Sequence, residues 1–160
     1  MKKILIQRGK SDKPITLENG DKYDSKMVVA EENNVLFISN RVNTDPTAAH
    51  RDTNGLLAPG DYYGIVGAKQ YGDKAIWIFN RNVDISKIKS RSDLLDSMVT
   101  LPSLKPNNNA GGAKTMSYIL IHMGGYRQDY SEGCVTVHPI DWANLLPILA
   151  INEILQVTLA

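Results

Sequence analysis

The chain has 160 residues, with 18 basic and 17 acidic side chains and a formal net charge of +1 at pH 7. This length suits one domain with a substantial core, so we expect a single domain over residues 1–160. The balanced charge gives no surface field of one sign, which argues against a nucleic acid or an anionic membrane as partner. The only cysteine, Cys134, excludes an internal disulfide and therefore any need for an oxidising compartment.

No apolar stretch is long enough to cross a bilayer, so no membrane span is expected. The first residues, Met1–Gln7, lack the apolar core of a secretory signal. The localisation stays open: the protein could be cytoplasmic, or it could be exported by a signal-independent route or with a leader that has been removed, and act in the periplasm or cell wall.

The first eighty residues are rich in β-branched and aromatic residues, interrupted by turn signals near 18–21, 31–34 and 70–73. This pattern predicts a β-meander. The predicted strands are 4–7, 26–30, 35–39, 60–67 and 74–80.

Helices are expected only in short pieces. Residues 92–98 predict one helix, capped by Ser92. Residues 102–113 are rich in Pro, Asn and Gly and predict a loop, which could border a site or simply connect two elements. Residues 139–155 have apolar side chains at helical spacing, and Pro147 should divide them into two short helices or kink one. The fold class is therefore α+β, mainly β: a mixed sheet or small β-sandwich with short C-terminal helices.

The feature that bears on chemistry is Cys134, which opens a β-type run twelve positions after His122 closes another. A thiol and an imidazole at the ends of neighbouring strands can act as nucleophile and base, because a nearby base produces the reactive thiolate. A lone cysteine is otherwise most often a buried structural residue. His122 and Cys134 alone provide fewer ligands than a zinc site requires, so no metal or other cofactor is expected.

The residues around this pair resemble a known family. His122 followed by Gly124, and then Ser131-Glu132-Gly133-Cys134, resembles the active-site motif of the L,D-transpeptidase catalytic domain, a β-rich fold of bacterial cell-wall enzymes. Residues 57–65 resemble the Pro-x-Gly-x-Tyr/Phe-x-Ile turn and strand that precede the catalytic segment there. The resemblance covers about residues 35–146, and the short His-to-Cys spacing is most similar to phage-associated proteins and peptidoglycan-targeting toxins.

The resemblance implies acyl transfer on a peptidoglycan stem peptide, with Cys134 as nucleophile, His122 as base and the backbone around Gly133 as oxyanion site. Two places depart from the usual motif: Glu132 stands where a second histidine is expected, and Thr136 where an arginine is expected. The missing arginine favours peptide hydrolysis, of the L,D-carboxypeptidase or endopeptidase type, over L,D-transpeptidation.

Candidate substrate-binding residues lie between His122 and Cys134. An aromatic ring and a guanidinium can stack on or bind a substrate carboxylate, and a carboxylate can bind a substrate amine or the imidazole. The serine is also expected to support its loop through a local hydroxyl-to-backbone bond. The candidates are Gly124, Tyr126, Arg127, Asp129 and Ser131.

Other interpretations remain open at this point. His138 could compete as base, although it more plainly ends the strand, and His50 is expected in a solvated loop. A papain-like hydrolase would place its cysteine before the histidine and at a helix start, unlike this chain. A non-catalytic binding or assembly module, such as a phage or lysis accessory, would keep the fold with an inert thiol.

Overall fold

The computed structural model describes residues 1–47, 49–68, 73–95, 100–129 and 131–160, and these are mainly β. No helix among them is both long and apolar enough to cross a membrane. The strands are β1 (Lys3–Gln7), β2 (Ile15–Thr16), β3 (Lys22–Tyr23), β4 (Ser25–Glu31), β5 (Asn34–Asn43), β6 (Gly60–Ala68), β7 (Lys74–Asn80), β8 (Leu101–Pro102), β9 (Thr115–Met116), β10 (Leu120–Met123), β11 (Val135–Val137) and β12 (Ile154–Leu159). The helices are α1 (Ser92–Leu95) and α2 (Pro139–Leu145), and single 3-10 turns lie at Ile85–Lys87, Asn108–Ala110 and Leu146–Ile148.

Eight strands close into a barrel in the order β1-β12-β6-β7-β10-β11-β5-β4. The pairs β1/β12 and β10/β11 are parallel, and the other neighbours are antiparallel. Alternate residues of each strand fill the interior, as the period of two requires. Examples of these buried side chains are Ile4, Ile6, Val66, Ile76, Ile121, Val135, Leu155 and Val157.

A second apolar cluster covers the outer face of β6 and β7. Ile65 and Phe79 point away from the barrel interior and pack against Ile88 and Leu94, which follow β7 in the chain. Tyr63 and Trp77 are partly buried against the same cluster. This face of the barrel is therefore closed by side chains from α1 and from the segment between β7 and α1.

The strands predicted in the first eighty residues are confirmed as β1, β4, β5, β6 and β7. The turns near 18–21 and 31–34 are confirmed by the β2/β3 and β4/β5 pairings. Pro147 lies in the 3-10 turn that ends α2, which confirms the division of that segment into short pieces. The turn at residues 70–72 and the second half of the helix at 92–98 lie outside the described residues, and α1 begins at Ser92 rather than after it.

The mixed sheet is confirmed, because the barrel combines parallel and antiparallel pairs, and the alternative of a small sandwich is wrong. The helix expected up to residue 155 is also wrong at its end, since Ile154 and Leu155 belong to β12. From Leu155 onward, apolar and polar residues alternate, and β12 is inserted between β1 and β6. Pairing on both sides satisfies its backbone, whereas a helix there would leave β1 and β6 with open edges. Asn152, at a φ of 66°, makes the turn into the strand.

The predicted loop over residues 102–113 is held by side-chain hydrogen bonds. Its ends pair as β8 and β9, and Asn107 donates to the Thr115 carbonyl while accepting from the Asn109 amide. The Ser103 hydroxyl accepts from the Leu56 amide and donates to the Lys105 carbonyl. These bonds hold the loop in place, and Asn107, Asn109 and Ala110 line a cleft next to β10.

Candidate active site

His122 and Cys134 are brought together by the parallel pairing of β10 and β11. Ile121 lies opposite Val135 and His122 opposite Thr136 in the register. Because Ile121 and Val135 fill the barrel, His122 and Thr136 lie on the outer face, and Cys134 shares that face by alternation. A strand spacing of about 4.8 Å and a rise of about 3.3 Å per residue put the Cα atoms of Cys134 and His122 about 8 Å apart.

The Cys134 side chain is partly exposed and contacts two backbone groups of the neighbouring chain segment. The Leu120 amide donates to Cys134 Sγ at 3.4 Å, and the thiol donates to the Tyr118 carbonyl at 3.8 Å. A backbone N–H aimed at sulfur stabilises the thiolate more than the thiol. The bond to the Tyr118 carbonyl requires the thiol proton, so the two contacts position the sulfur for either protonation state.

His122 is 5% exposed and is oriented by the backbone of its own strand. Its Nδ1 lies 2.8 Å from the Met123 carbonyl oxygen. A carbonyl can only accept, so Nδ1 carries the hydrogen and the neutral ring has its lone pair on Nε2. Nε2 is the atom that a general base would use.

The turn before Cys134 is organised by Ser131. Its hydroxyl donates to the Cys134 carbonyl at 2.8 Å and accepts from the Gly133 amide at 3.1 Å, which confirms the expected local bond. Gly133 has a φ of 143°, a region that favours glycine, and a Cβ there would lie 2.6 Å from Met116 Cε. Gly133 thus lets the backbone turn sharply into β11.

A second segment supports the same turn from outside. The Thr47 amide donates to the Ser131 carbonyl at 2.9 Å, and the Asn54 side-chain amide donates to the Glu132 carbonyl at 2.7 Å. Both bonds tie the turn to the connection between β5 and β6. The position of Cys134 is therefore fixed by contacts far apart in the sequence.

A cleft of about 660 Å³ opens over this pair. Glu132 is the one acidic side chain among its described lining residues, and none of those is Lys or Arg. The Glu132 side chain is 77% exposed, with Oε1 3.8 Å from His50 Nε2. The lining residues are Asn107, Asn109, Ala110, Met116, Ser117, Tyr118, Ile119, Leu120, His122, Ser131, Glu132, Gly133 and Cys134.

A buried polar network lies behind the cleft. Asp129 is 2% exposed, and its Oδ2 accepts from the Thr136 hydroxyl and from Asn43 Nδ2, the latter at 2.9 Å. Asn43 lies opposite Thr136 in the β5/β11 register, so His122, Thr136 and Asn43 form one row across three strands. The Asp129 carboxylate is hydrogen-bonded to two residues of this row, Thr136 and Asn43.

Gly124 permits the close approach of that network to β10. A Cβ at Gly124 would overlap the Tyr23 hydroxyl and lie 2.8 Å from Asp129 Oδ1. The Tyr23 hydroxyl donates to the Gly125 carbonyl at 2.8 Å, and burial raises the pKa of Tyr23 above its usual range, with Asp129 adding to the effect. Gly124 and Asp129 are thus packed behind the cleft rather than along its described lining.

Tyr126 and Arg127 lie elsewhere on the surface. They line a shallow hollow of about 390 Å³ together with Glu18, Gly125 and Gln128. The Tyr126 ring meets the edge of the His138 ring at 5.2 Å between centroids. The structure therefore does not bring these two candidates to the cleft that holds Cys134.

The other histidines have separate surroundings. His138 Nδ1 accepts from the Ile140 amide at 3.2 Å and caps α2, and burial together with Arg41 lowers the pKa of His138. His50 lies outside the described lining of the cleft and reaches it only through Glu132. His122 is the histidine that shares the cleft with Cys134.

Several groups that shape the site escaped the sequence interpretation. The Leu120 amide and the Tyr118 and Met123 carbonyls are backbone groups, whose roles depend on strand register and leave no residue signature. Asn107 was seen only as part of a loop, although an Asn followed by Gly-rich sequence is typical of side-chain-supported turns.

The chain matches no family model, no curated protein and no solved structure. Within the described ranges, no cluster of three or more His, Cys, Asp or Glu residues could hold a metal ion. The function must therefore be argued from the site itself.

Proposed function

We propose that the protein is a cysteine acyl-transfer enzyme in which Cys134 is the nucleophile and His122 the general base. The observation that carries the proposal is the pairing of an accessible thiol with an imidazole of fixed tautomer, on one face of adjoining strands and in one cleft. A binding module with an inert structural thiol would be expected to bury Cys134. Its partial exposure in a cleft supports the enzyme over that alternative.

In the proposed reaction, His122 Nε2 takes the Cys134 proton and the thiolate attacks a peptide carbonyl carbon. The resulting imidazolium gives its proton to the leaving amine as the C–N bond breaks, which leaves a thioester on Cys134. Water then attacks the thioester, giving a proton to His122, and the released thiolate takes that proton back. The products are a free carboxylic acid and the original enzyme.

The oxyanion formed at each attack requires N–H donors close to Cys134. The Gly133 amide already donates to Ser131, so in this proposal the Cys134 amide is the principal donor. Gly133 contributes by giving the turn its shape and by leaving the approach to the carbonyl open.

The substrate class comes from the motif resemblance to L,D-transpeptidases: a peptidoglycan stem peptide in a bacterial or phage setting. A cleft of about 660 Å³ has room for several residues of such a peptide, and Glu132 would meet one of its amines. We favour hydrolysis over transpeptidation because Thr136, at the place of the motif arginine, is buried and donates to Asp129.

The test is digestion of purified sacculi and of synthetic stem peptides, followed by mass spectrometry of the released fragments. The wild-type protein should release peptides or amino acids, and Cys134→Ala should reduce the rate by several orders of magnitude. Added amine acceptors would divert the product to a new peptide bond if transpeptidation were preferred. Equal cleavage by the wild-type and Cys134→Ala proteins would refute the proposal.

A further inference from the structure

Asp129 is a buried carboxylate that the reaction above does not use. Its exposure is 2%, and its Oδ2 accepts from the Thr136 hydroxyl and from Asn43 Nδ2. Ionised carboxylates are costly to bury, because the protein replaces water poorly around a charge. A function for that charge is therefore worth seeking among its neighbours.

Strand register defines where this carboxylate lies relative to the imidazole. Oδ2 accepts from Thr136, the lateral neighbour of His122 on β11, and Oδ1 lies over Gly124, two residues after His122. Both oxygens are thus beside positions adjacent to His122 on the same face. From strand spacings, the Cα atom of His122 lies about 5 Å from that of Thr136 and about 7 Å from that of Gly124, the two residues beside which the carboxylate lies.

Cys134 lies on the opposite side of His122. It contacts Leu120, two residues before His122, whereas Asp129 covers the side of Gly124, two residues after it. The three side chains therefore follow the order thiol, imidazole, carboxylate along the two strands. In this order the carboxylate is nearer to the imidazole than to the sulfur.

We propose that Asp129 is a positioning residue whose negative charge stabilises the His122 imidazolium that forms when the Cys134 proton moves to Nε2. The inference rests on the proposed function, which it deepens by naming what balances the charge of the activated pair. The proton leaves Sγ and arrives at Nε2, so the thiolate gains the charge that the imidazolium offsets. A carboxylate closer to the imidazolium than to the thiolate favours this ion pair over the neutral pair.

Among the described residues, the other titratable groups near Asp129 do not supply this charge. The Tyr23 phenol is kept neutral, because burial and Asp129 raise its pKa above the usual range. His138 meets the edge of the Tyr23 ring at 5.4 Å, and its pKa is lowered by burial and by Arg41. Arg41 is bonded to Asp141, and Asp21 accepts from Arg51.

The first measurement compares His122 titration in Cys134→Ser and in Cys134→Ser/Asp129→Asn, by NMR of the labelled imidazole. Asparagine keeps the size and an acceptor oxygen but removes the charge. Attraction across about 7 Å at an effective dielectric of about 20 predicts that the imidazolium pKa falls by roughly 1–2 units in the double variant. A matched control, Cys134→Ser/Thr136→Val, removes one hydrogen bond and keeps the carboxylate, so its His122 titration should shift far less.

The second measurement is the rate of Cys134 alkylation at pH 7 in Asp129→Asn with an otherwise wild-type sequence. Loss of the carboxylate should lower the rate by roughly three- to tenfold, since fewer molecules hold the ion pair. If Asp129→Asn does not fold, the carboxyl carbon of Asp129 is followed by NMR in the wild-type protein. Its signal should then show a step at the pH where His122 titrates.

The outcomes separate the two ideas. A reactive wild-type thiol with no change of His122 titration in the Asp129→Asn background would overturn this inference and leave the proposed function standing. In the wild-type experiment, an Asp129 carboxyl signal with no step at the His122 titration would do the same. A wild-type Cys134 that reacts like an ordinary thiol, with or without His122, would overturn both.

Discussion

The two covered parts of the outer barrel face differ in chemistry. Over β6 and β7 the cover is apolar, with Phe79 and Ile65 packed against Ile88 and Leu94. Over β10, β11 and β5 it is polar: Asp129 lies over Thr136 and Asn43, and the row ends at His122. The four buried side chains of the first cover are all apolar, whereas the second contains the carboxylate of Asp129 and the imidazole of His122.

This difference indicates that the apolar cover stabilises the barrel, whereas the polar cover serves the chemistry of the cleft. Apolar cover stabilises the barrel by about 25 cal/mol for each Å² removed from water, with no demand on hydrogen-bond geometry. A buried polar network adds little net stability, and it becomes destabilising when any one hydrogen-bond partner is missing. A protein that needed only stability could cover both faces with apolar side chains, so the polar cover is best explained by the chemistry of the neighbouring cleft.

The largest effect is expected from the histidines. His122→Gln should reduce peptide cleavage by several orders of magnitude, because nucleophile and base act as a unit. The matched control is His138→Asn, which keeps a side-chain acceptor at the start of α2 and lies away from the cleft. Steady-state rates on a stem peptide measure both, and the control should stay within a few-fold of the wild type. A larger loss in His138→Asn than in His122→Gln would reverse the assignment.

The apolar cover can be weakened without touching the cleft. Phe79→Ala should lower the free energy of unfolding by about 3–5 kcal/mol, because the fully buried ring leaves a cavity between Ile65 and Leu94. Urea denaturation measures the loss, and Cys134 alkylation in the fraction that remains folded should be unchanged. A change of thiol reactivity in that fraction would show that the two covers are coupled.

The packing of Tyr23 and Asp129 against Gly124 leaves no room for an added methyl group. Gly124→Ala should destabilise the fold by about 2–3 kcal/mol, because its Cβ would meet the Tyr23 hydroxyl and Asp129. Gly112→Ala is the control, since no atom lies within 4 Å of its new Cβ; its φ of 89° adds a backbone strain that Gly124 does not have, so the control overstates the cost of the methyl group itself. Thermal melting of both variants would contradict this account if Gly112→Ala were the less stable.

A small effect is expected at the edge of the polar region. Burial alone would raise the pKa of Asp141, but hydrogen bonds from Arg41 and Ser39 outweigh it and lower the pKa. The folded-state pKa lies below the unfolded one, so this carboxylate stabilises the fold above about pH 4 and loses its effect as the pH falls further. Asp141 is partly exposed, so the contribution should be below about 1 kcal/mol.

Asp141→Asn tests that contribution. Denaturant titrations between about pH 2 and 7 should show a flatter acid limb for the variant than for the wild type. Asp12→Asn serves as control, because Asp12 is an exposed partner of Lys26. The interpretation fails if Asp141→Asn leaves the pH dependence of stability unchanged.

Local patterns in the sequence were sufficient for β1, β4, β5, β6 and β7, because their residues favour strands whichever neighbours they pair with. They were misleading at β12, where the apolar residues before Asn152 continue a helical spacing into Ile154 and Leu155. The segment forms a strand because it pairs with both β1 and β6 and so closes the barrel. Closure of a barrel is a property of all its strands and cannot be deduced from one segment.

In the candidate site, too, the parts that depend on local sequence could be predicted, and the contacts between residues distant in sequence could not. His122 and Cys134 could be predicted as a pair because they stand close in sequence and share a motif context. The bond between Asn43 and Asp129 joins residues 86 positions apart, so no local pattern could indicate it. Tyr126 and Arg127 stood within the same short segment but turn away from the cleft, since the chain between Gly125 and Asp129 leaves the sheet.

The most direct test of the central claim is the pH dependence of iodoacetamide alkylation at Cys134, in the wild-type protein and in His122→Ala. The account predicts rapid labelling near neutral pH in the wild type, and in the variant slow labelling that rises only towards the ordinary thiol pKa of about 8.5. Labelling that needs denaturation, or an identical profile in both proteins, would contradict a working thiolate–imidazole pair.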